Sequence, residues 1–237
     1  RYALAGVAQA VGIDIGTTAL PSYQDLSFKL NSGNTKLGRF TLFGILATSS
    51  IDISSGGGNS LYGGGRDGHN FSSEIGILGV KHFKQLNEKS FLSSTIGINY
   101  SSTDQLAYTV DSTGNSYNTE ENTTTKTGYN FMTSYNSKIN SSLFVKVGVQ
   151  AEIMNLYLYL RTRRNEQESW KQTWDYNSYT ALAQAFVHAK YNISDKLVMN
   201  AGIHAQEFLL NNSVSIEPRF GLKYEVNSNS SQSFGYG

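Results

Sequence analysis

The sequence predicts an all-β protein: an antiparallel up-and-down transmembrane β-barrel, with about ten strands in this chain, part of a larger barrel. Three observations predict it. The first is strict alternation. Val214, Ile216, Pro218, Phe220, Leu222, Tyr224 and Val226 occupy every even position of one stretch, and Ser215, Glu217, Arg219, Gly221, Lys223 and Glu225 fill the odd ones. A period of two is a strand with one apolar and one wet face. The run outlasts the roughly 5–6 residues of a typical soluble strand and suits the roughly 9–11 tilted residues that cross a bilayer. The second is composition. Of 237 residues, 39% are hydrophobic and only 16% charged, Gly (23), Tyr (15) and Phe (12) are plentiful, and Pro (2) is scarce. No apolar run reaches the roughly 18 residues of a membrane helix, but a barrel strand meets lipid with alternate residues only. The third is that short and long links alternate along the chain.

In order, strands are expected at about 20–31, 38–48, 70–85, 90–103, 124–138, 143–160, 174–192, 196–208, 213–226 and from 232 onward. Residues 1–12 are ambiguous, because Leu4, Val7, Ala8 and Val11 fit a helical turn as well as a strand. In the first strand Leu26, Phe28 and Leu30 oppose Asp25, Ser27, Lys29 and Asn31. In the fourth, Leu92, Ile96, Ile98 and Tyr100 oppose Ser93, Thr95, Gly97 and Asn99. In the sixth, Val145, Val147, Val149, Ala151 and Ile153 oppose Lys146, Gly148, Gln150 and Glu152. In the seventh, Ala181, Ala183, Ala185, Val187 and Ala189 oppose a mixed face with Gln184, His188 and Lys190. The strand at 70–85 alternates less cleanly. Aromatics at strand ends, such as Tyr100, Tyr179 and Tyr191, suit the headgroup level.

Tight links at 86–89, 139–142, 193–195 and 227–231, and a somewhat longer one at 32–37, carry the Asn, Asp and Ser of turns. Long links are expected at about 49–69, 104–123 and 161–173; the link at 209–212 breaks the alternation by being short. Short turns on one side and longer loops on the other are the asymmetry of outer-membrane barrels. The sixth strand would run roughly 60 Å before tilt, so the sheet is expected to project beyond the membrane.

The net charge of +1 gives no case for nucleic acid, and without Cys there are no disulfides or Cys-based metal sites. His69, His82, His188 and His204 lack ligand spacing such as H-x-x-x-H, so no metal site and no cofactor are expected. Gly56 to Gly58 and Gly63 to Gly65 lack the phosphate-loop pattern and read as a flexible outer loop. Arg66, Asp67 and His69, expected in an outer loop, are candidate ligand contacts. Trp170, Trp174 and Tyr176, near Arg161, Arg163 and Arg164, form a second cluster; Trp170, Trp174 and Arg163 are its candidates for stacking on a ligand ring. Glu217, Arg219, Lys223 and Glu225 are expected to pair with neighbouring strands or with a plug. No nucleophile, His and acid assemble at one rim, so no enzymatic activity is expected. A soluble β-sandwich is contradicted by strand length.

The chain starts at Arg1 and stops within the pattern Phe234-Gly235-Tyr236-Gly237. It is expected to be an internal piece of a longer protein, with 1–237 forming part of one transmembrane barrel domain. Open sheet edges are not tolerated in lipid, so the parent barrel is expected to hold more strands.

Ala19-Leu20-Pro21-Ser22-Tyr23-Gln24-Asp25-Leu26-Ser27-Phe28-Lys29-Leu30-Asn31 and Phe40-Thr41-Leu42-Phe43-Gly44-Ile45 resemble the barrel of TonB-dependent receptors of the Bacteroidetes type, the group with a carboxypeptidase-regulatory-like N-terminal domain. So do Leu86 to Lys89, Asn200 to Gln206 and Asn211 to Tyr224, and the resemblance covers about 13–237. It implies a barrel of about 22 strands, closed by a plug and preceded by a regulatory-like domain, both absent from this chain. It further implies a receptor of the bacterial outer membrane that imports a scarce nutrient with TonB-coupled energy. The substrate would be a small molecule, glycan or metal chelate such as a siderophore. The partners it implies are membrane lipid and the TonB complex, reached through the missing N-terminal region, with room for a surface lipoprotein lid. A passive porin-like or adhesin-like barrel without a plug is the alternative.

Overall fold

The computed structural model describes residues 21–54, 67–111 and 113–237. The ambiguous segment 1–12, the Gly-rich link and Arg66 lie outside them. Ten strands run in chain order: β1 (Ser22–Asn31), β2 (Arg39–Ser54), β3 (Asp67–Asn87), β4 (Ser90–Val110), β5 (Ser116–Lys138), β6 (Leu143–Thr162), β7 (Lys171–Ser194), β8 (Leu197–Phe208), β9 (Ser213–Asn227) and β10 (Ser230–Tyr236). Each pairs antiparallel with the next, in one sheet ordered β1 to β10. The expected up-and-down meander is therefore present, strand for strand. Among the described residues β1 and β10 each have one paired neighbour only, so the sheet carries two free edges.

The register aligns apolar side chains into rows, because residues directly opposite in an antiparallel pair share a face. Leu42, Val80, Ile96, Phe131 and Ala151 form one row across β2 to β6, and Gly44, Leu78, Ile98, Tyr129 and Ile153 the next. The row continues as Ala183 on β7 beyond Ala151. These rows and the same face of β8 and β9 are exposed: Ile96 at 63%, Ile153 at 52%, Ile203 at 58% and Ile216 at 69%. Among the described residues the one buried hydrophobic is Ala107, whereas Ser90, Ser102, Ser134, Asn136 and Ser137 are buried. A soluble protein rarely exposes an apolar patch above a few hundred Å². A face this continuous has hydrocarbon as its solvent. From Leu143 to Ile153 on β6 the apolar face spans about 25 Å along the membrane normal at a tilt near 40°, the height of a barrel's lipid band.

The strands continue past that band. On the same face, above Tyr100, Tyr129 and Ile153, come Ser102 and Asp104 on β4, Thr125, Thr123 and Glu121 on β5, and Asn155 and Arg161 on β6. They hydrogen-bond across strands: Ser102 Oγ to Thr125 Oγ1 at 3.0 Å, Thr123 Oγ1 to Asp104 Oδ1 at 2.6 Å and Arg161 Nη2 to Glu121 Oε2 at 2.6 Å. This corrects the expected link at 104–123. Most of it is strand, closing in a hairpin between Val110 and Ser116. Where both faces are wet no hydrophobic alternation is needed, so the period-two signal vanishes although the ladder continues. For the same reason β2 reaches Ser54 and β3 begins at Asp67, inside the expected link at 49–69, and the expected link at 161–173 shortens to 163–170. The longest described connection, 163–170, is at the long-link end, and the other end turns over 32–38, 88–89, 139–142, 195–196 and 228–229.

Glycine lets rings cross the sheet. Phe28 on β1 lies over Gly44 on β2, where a Cβ would stand 2.5 Å from the Phe28 ring. Phe43 covers Gly79 in the same way on the opposite face.

Candidate functional site on the polar face

The face opposite the apolar rows carries the polar side chains. At the level of the lipid band it holds Gln150, Gln184, Gln206 and Ser215, aligned across β6 to β9. The neighbouring row contains Phe186, His204 and Glu217. Glu217 is the centre of a network. It accepts from Arg219 Nη2 at 2.8 Å, Ser215 Oγ at 3.2 Å and Gln206 Nε2 at 3.3 Å. His204 places Nδ1 3.4 Å from Glu217 Oε2 and Nε2 3.1 Å from Gln184 Oε1. With both N–H groups present the ring donates to both; with the Gln184 amide rotated it accepts from that side. A second pair, Lys126 Nζ to Glu152 Oε1 at 2.9 Å, joins β5 to β6. These groups form a hydrogen-bonding surface for water and polar solutes.

The ion pairs of β9 differ from the expectation. Arg219 pairs with Glu217, and Lys223 Nζ with Glu225 Oε1 at 3.2 Å, so both run along β9 instead of to another strand. Residues two apart share a face about 7 Å apart, within reach of these long side chains. Of these four residues Glu217 also reaches the neighbouring strand, at His204 and Gln206 on β8.

Asp67 and His69 lie in β3, where the sequence reading had a loop. Both belong to the polar face at the long-link end. Thr109 Oγ1 donates to Asp67 Oδ1 at 2.7 Å, and the His69 ring stacks near Phe71 at 6.1 Å.

The Trp cluster divides between the two faces. Trp174 stands opposite Leu160, and Tyr176 opposite Leu158, on the polar-face side, where Trp174 is 53% exposed. A bulge between Leu160 and Arg161 shifts the register beyond them. Trp170 is held by two guanidinium groups, Arg161 at 4.5 Å and Arg163 at 4.7 Å from its ring centroid. Arg163 Nε also donates to the Asn118 carbonyl at 2.6 Å. Trp170 and Arg163 are thus engaged within the sheet margin, while Trp174 is open. Above the band, Leu156, Leu158 and Leu160 share the face of Trp174, an apolar stretch the sequence reading did not single out as a site. Among the described residues no group of His, Asp and Glu could hold a metal ion.

No protein-family model matches the chain, and no curated protein matches it. Solved structures do. The open form of the ferric-catecholate import receptor Fiu from E. coli K12 matches with a TM-score of 0.63 at 10% identity, covering 92% of this chain and 40% of that one. Weaker likenesses are the toluene transporter TbuX of Ralstonia pickettii, with a TM-score of 0.45 at 11% identity over 92% of this chain and 62% of that one, and the translocator domain of the autotransporter NalP from Neisseria meningitidis, with a TM-score of 0.41 at 11% identity over 100% of this chain and 90% of that one. The chain spans less than half the length of Fiu. It has the fold of an outer-membrane β-barrel wall.

Proposed function

We propose that this chain is one section of the barrel of a TonB-coupled import receptor in the bacterial outer membrane. The observation that carries the reading is that, among the described residues, ten strands form one sheet with an apolar face, a polar face and two unpaired edges. An unpaired backbone group in hydrocarbon costs several kcal/mol, so further strands must continue the wall beyond β1 and β10. A larger barrel encloses a lumen wide enough for a solute or a plug. The long-link end is the outer surface and the short-turn end the periplasmic side. Trp174, Tyr176, Asp67 and His69 then face the vestibule through which a nutrient enters, and the Glu217 network lines its path. The similarity to a ferric-catecholate import receptor and the sequence resemblance to TonB-dependent receptors support active import, with a metal chelate or glycan as cargo.

The test is reconstitution of the full-length parent protein into liposomes, with swelling measured in a small sugar. A plugged receptor gives no swelling, and its upstream segment cross-links to the TonB complex in cells. Rapid swelling without that cross-link overturns the reading and makes the protein a passive porin-like barrel.

A further inference from the structure

On the polar face at the short-turn end, β1, β2 and β3 enclose a hollow of about 540 Å³ lined by Lys29, Asn31, Arg39, Thr41, Lys81 and Phe83. Three of these are cations. Asn31, Thr41 and Lys81 form one row across the three strands, Arg39 stands beside Phe83 in the next, and Lys29 lies two residues from Asn31. No carboxylate lines the hollow. The nearest acid along this face of β1 is Asp25, roughly 13 Å away at 3.3 Å per residue.

What sets the hollow apart is that three cations unpaired among the described residues share it. Lys126, Arg161, Arg219 and Lys223 each sit in an ion pair with a glutamate. Among the described residues Lys29, Arg39 and Lys81 have no ion-pair partner, and Arg39 rests on the Phe83 ring at 5.3 Å. Like charges repel, so gathering three without an internal counterion costs free energy unless an anion arrives. A second hollow of about 230 Å³ shares Lys81 and adds Lys146, extending the positive field along the wall.

The adjoining turn is fixed. His82 Nε2 lies 2.8 Å from the Leu37 carbonyl, Ser32 N donates to the Phe40 carbonyl at 2.9 Å, and Thr35 and Gly38 exchange backbone hydrogen bonds at 3.1 Å. Gly38 has φ of 115°, and a Cβ there would collide with the Phe83 carbonyl. Thr41 Oγ1 donates to Asn31 Oδ1 at 2.7 Å, leaving the Asn31 amide hydrogens for a ligand. The Arg39 guanidinium, resting on Phe83, and the Asn31 amide are therefore held in place before anything binds.

We infer that this cradle binds a multivalent oxyanion, a small molecule bearing several phosphate or carboxylate groups. It rests on the import reading only in taking the polar face as the lumen. The full-length protein in detergent, at low salt, is titrated with inorganic pyrophosphate and, separately, with tricarballylate. The expected result is saturable binding of one or both, weakened about tenfold or more when Lys29, Arg39 and Lys81 are all changed to Gln. A preference for one titrant decides between phosphate and carboxylate chemistry. The variant K223Q, which removes a paired cation, leaves the affinity unchanged. Heat-modifiable migration on gels verifies that each variant retains its barrel. Failure of the folded parent protein to bind either anion, or equal binding by the triple variant, overturns the site while leaving the import reading to its own test.

Discussion

Tyr108 on β4 crosses Gly68 on β3 and brings its hydroxyl 3.5 Å from Asp52 Oδ1 on β2. One ring thus ties three strands together well above the lipid band. It lies in the space a side chain would occupy, because a Cβ on Gly68 would meet the Tyr108 ring. Gly68→Val is expected to displace the ring and destabilise this margin by about 1–3 kcal/mol, the usual cost of overpacking. Desolvation, and then the Asp52 charge and hydrogen bond, push the Tyr108 phenol above its ordinary value. A raised value means the neutral phenol is favoured in the folded sheet. Its contribution is complete below about pH 10, the unperturbed tyrosine value, and is lost as pH rises through the folded value. Tyrosine ring-carbon NMR of the labelled protein should show Tyr108 titrating late. Asp52→Asn should bring it part of the way back, since the desolvation remains. Titration at the ordinary value in the parent protein would sink the contact.

The two faces should respond in opposite ways to charge. Ile96 lies in the middle row of the apolar band and Gln150 on the polar face of β6. Ile96→Lys is expected to cost about 2–4 kcal/mol, the penalty for a lysine near the bilayer midplane. Gln150→Lys should change stability by no more than about 0.5 kcal/mol. Reversible urea unfolding of the full-length protein in lipid vesicles measures both. Equal penalties would mean that the faces have been assigned wrongly.

Within the lipid band one polar pair satisfies itself. Ser94 Oγ and Thr133 Oγ1 stand opposite each other on β4 and β5 at 2.8 Å. Removing one leaves the other hydroxyl without a partner in hydrocarbon. Ser94→Ala and Thr133→Val should each destabilise by about 1–3 kcal/mol. The double variant should cost less than the sum, because no orphan remains. Additivity in vesicle unfolding would show that the two hydroxyls do not bond.

The strand pattern was legible in the sequence because lipid imposes it. Where Val145 to Ile153 meet hydrocarbon, every second residue must be apolar, and the order of ten strands follows. Above the band nothing forces Thr123, Glu121 or Asp104 to alternate with grease, and the strand looks like a loop until the ladder is seen. Asp67 and His69 were misplaced for the same reason. The Glu217 network was legible only in part. Its residues are visible as wet positions, but the meeting of His204, Gln184 and Glu217 depends on the register of three strands, which no local motif encodes. The bulge at Leu160 and Arg161 likewise has no signature in the residues around it, and it sends Trp170 and Trp174 apart.

That separation makes a prediction about binding. Trp170 already has two cationic partners, Arg161 and Arg163, whereas Trp174 offers an exposed ring beside Tyr176 and Leu160. Trp170→Ala should therefore loosen the link between β6 and β7. The loss is about 0.5–1 kcal/mol for each exposed cation–π contact, seen as faster amide exchange at 163–170. It should leave cargo affinity intact. Trp174→Ala should leave amide exchange unchanged, since a ring this exposed packs little. With a ferric catecholate as probe on the full-length parent protein, it should weaken binding by about 1–3 kcal/mol if a ring of the probe stacks there. The reverse pattern, with binding lost at Trp170 and retained at Trp174, would place the aromatic contact on the other face of the sheet and remove Trp174 from the vestibule.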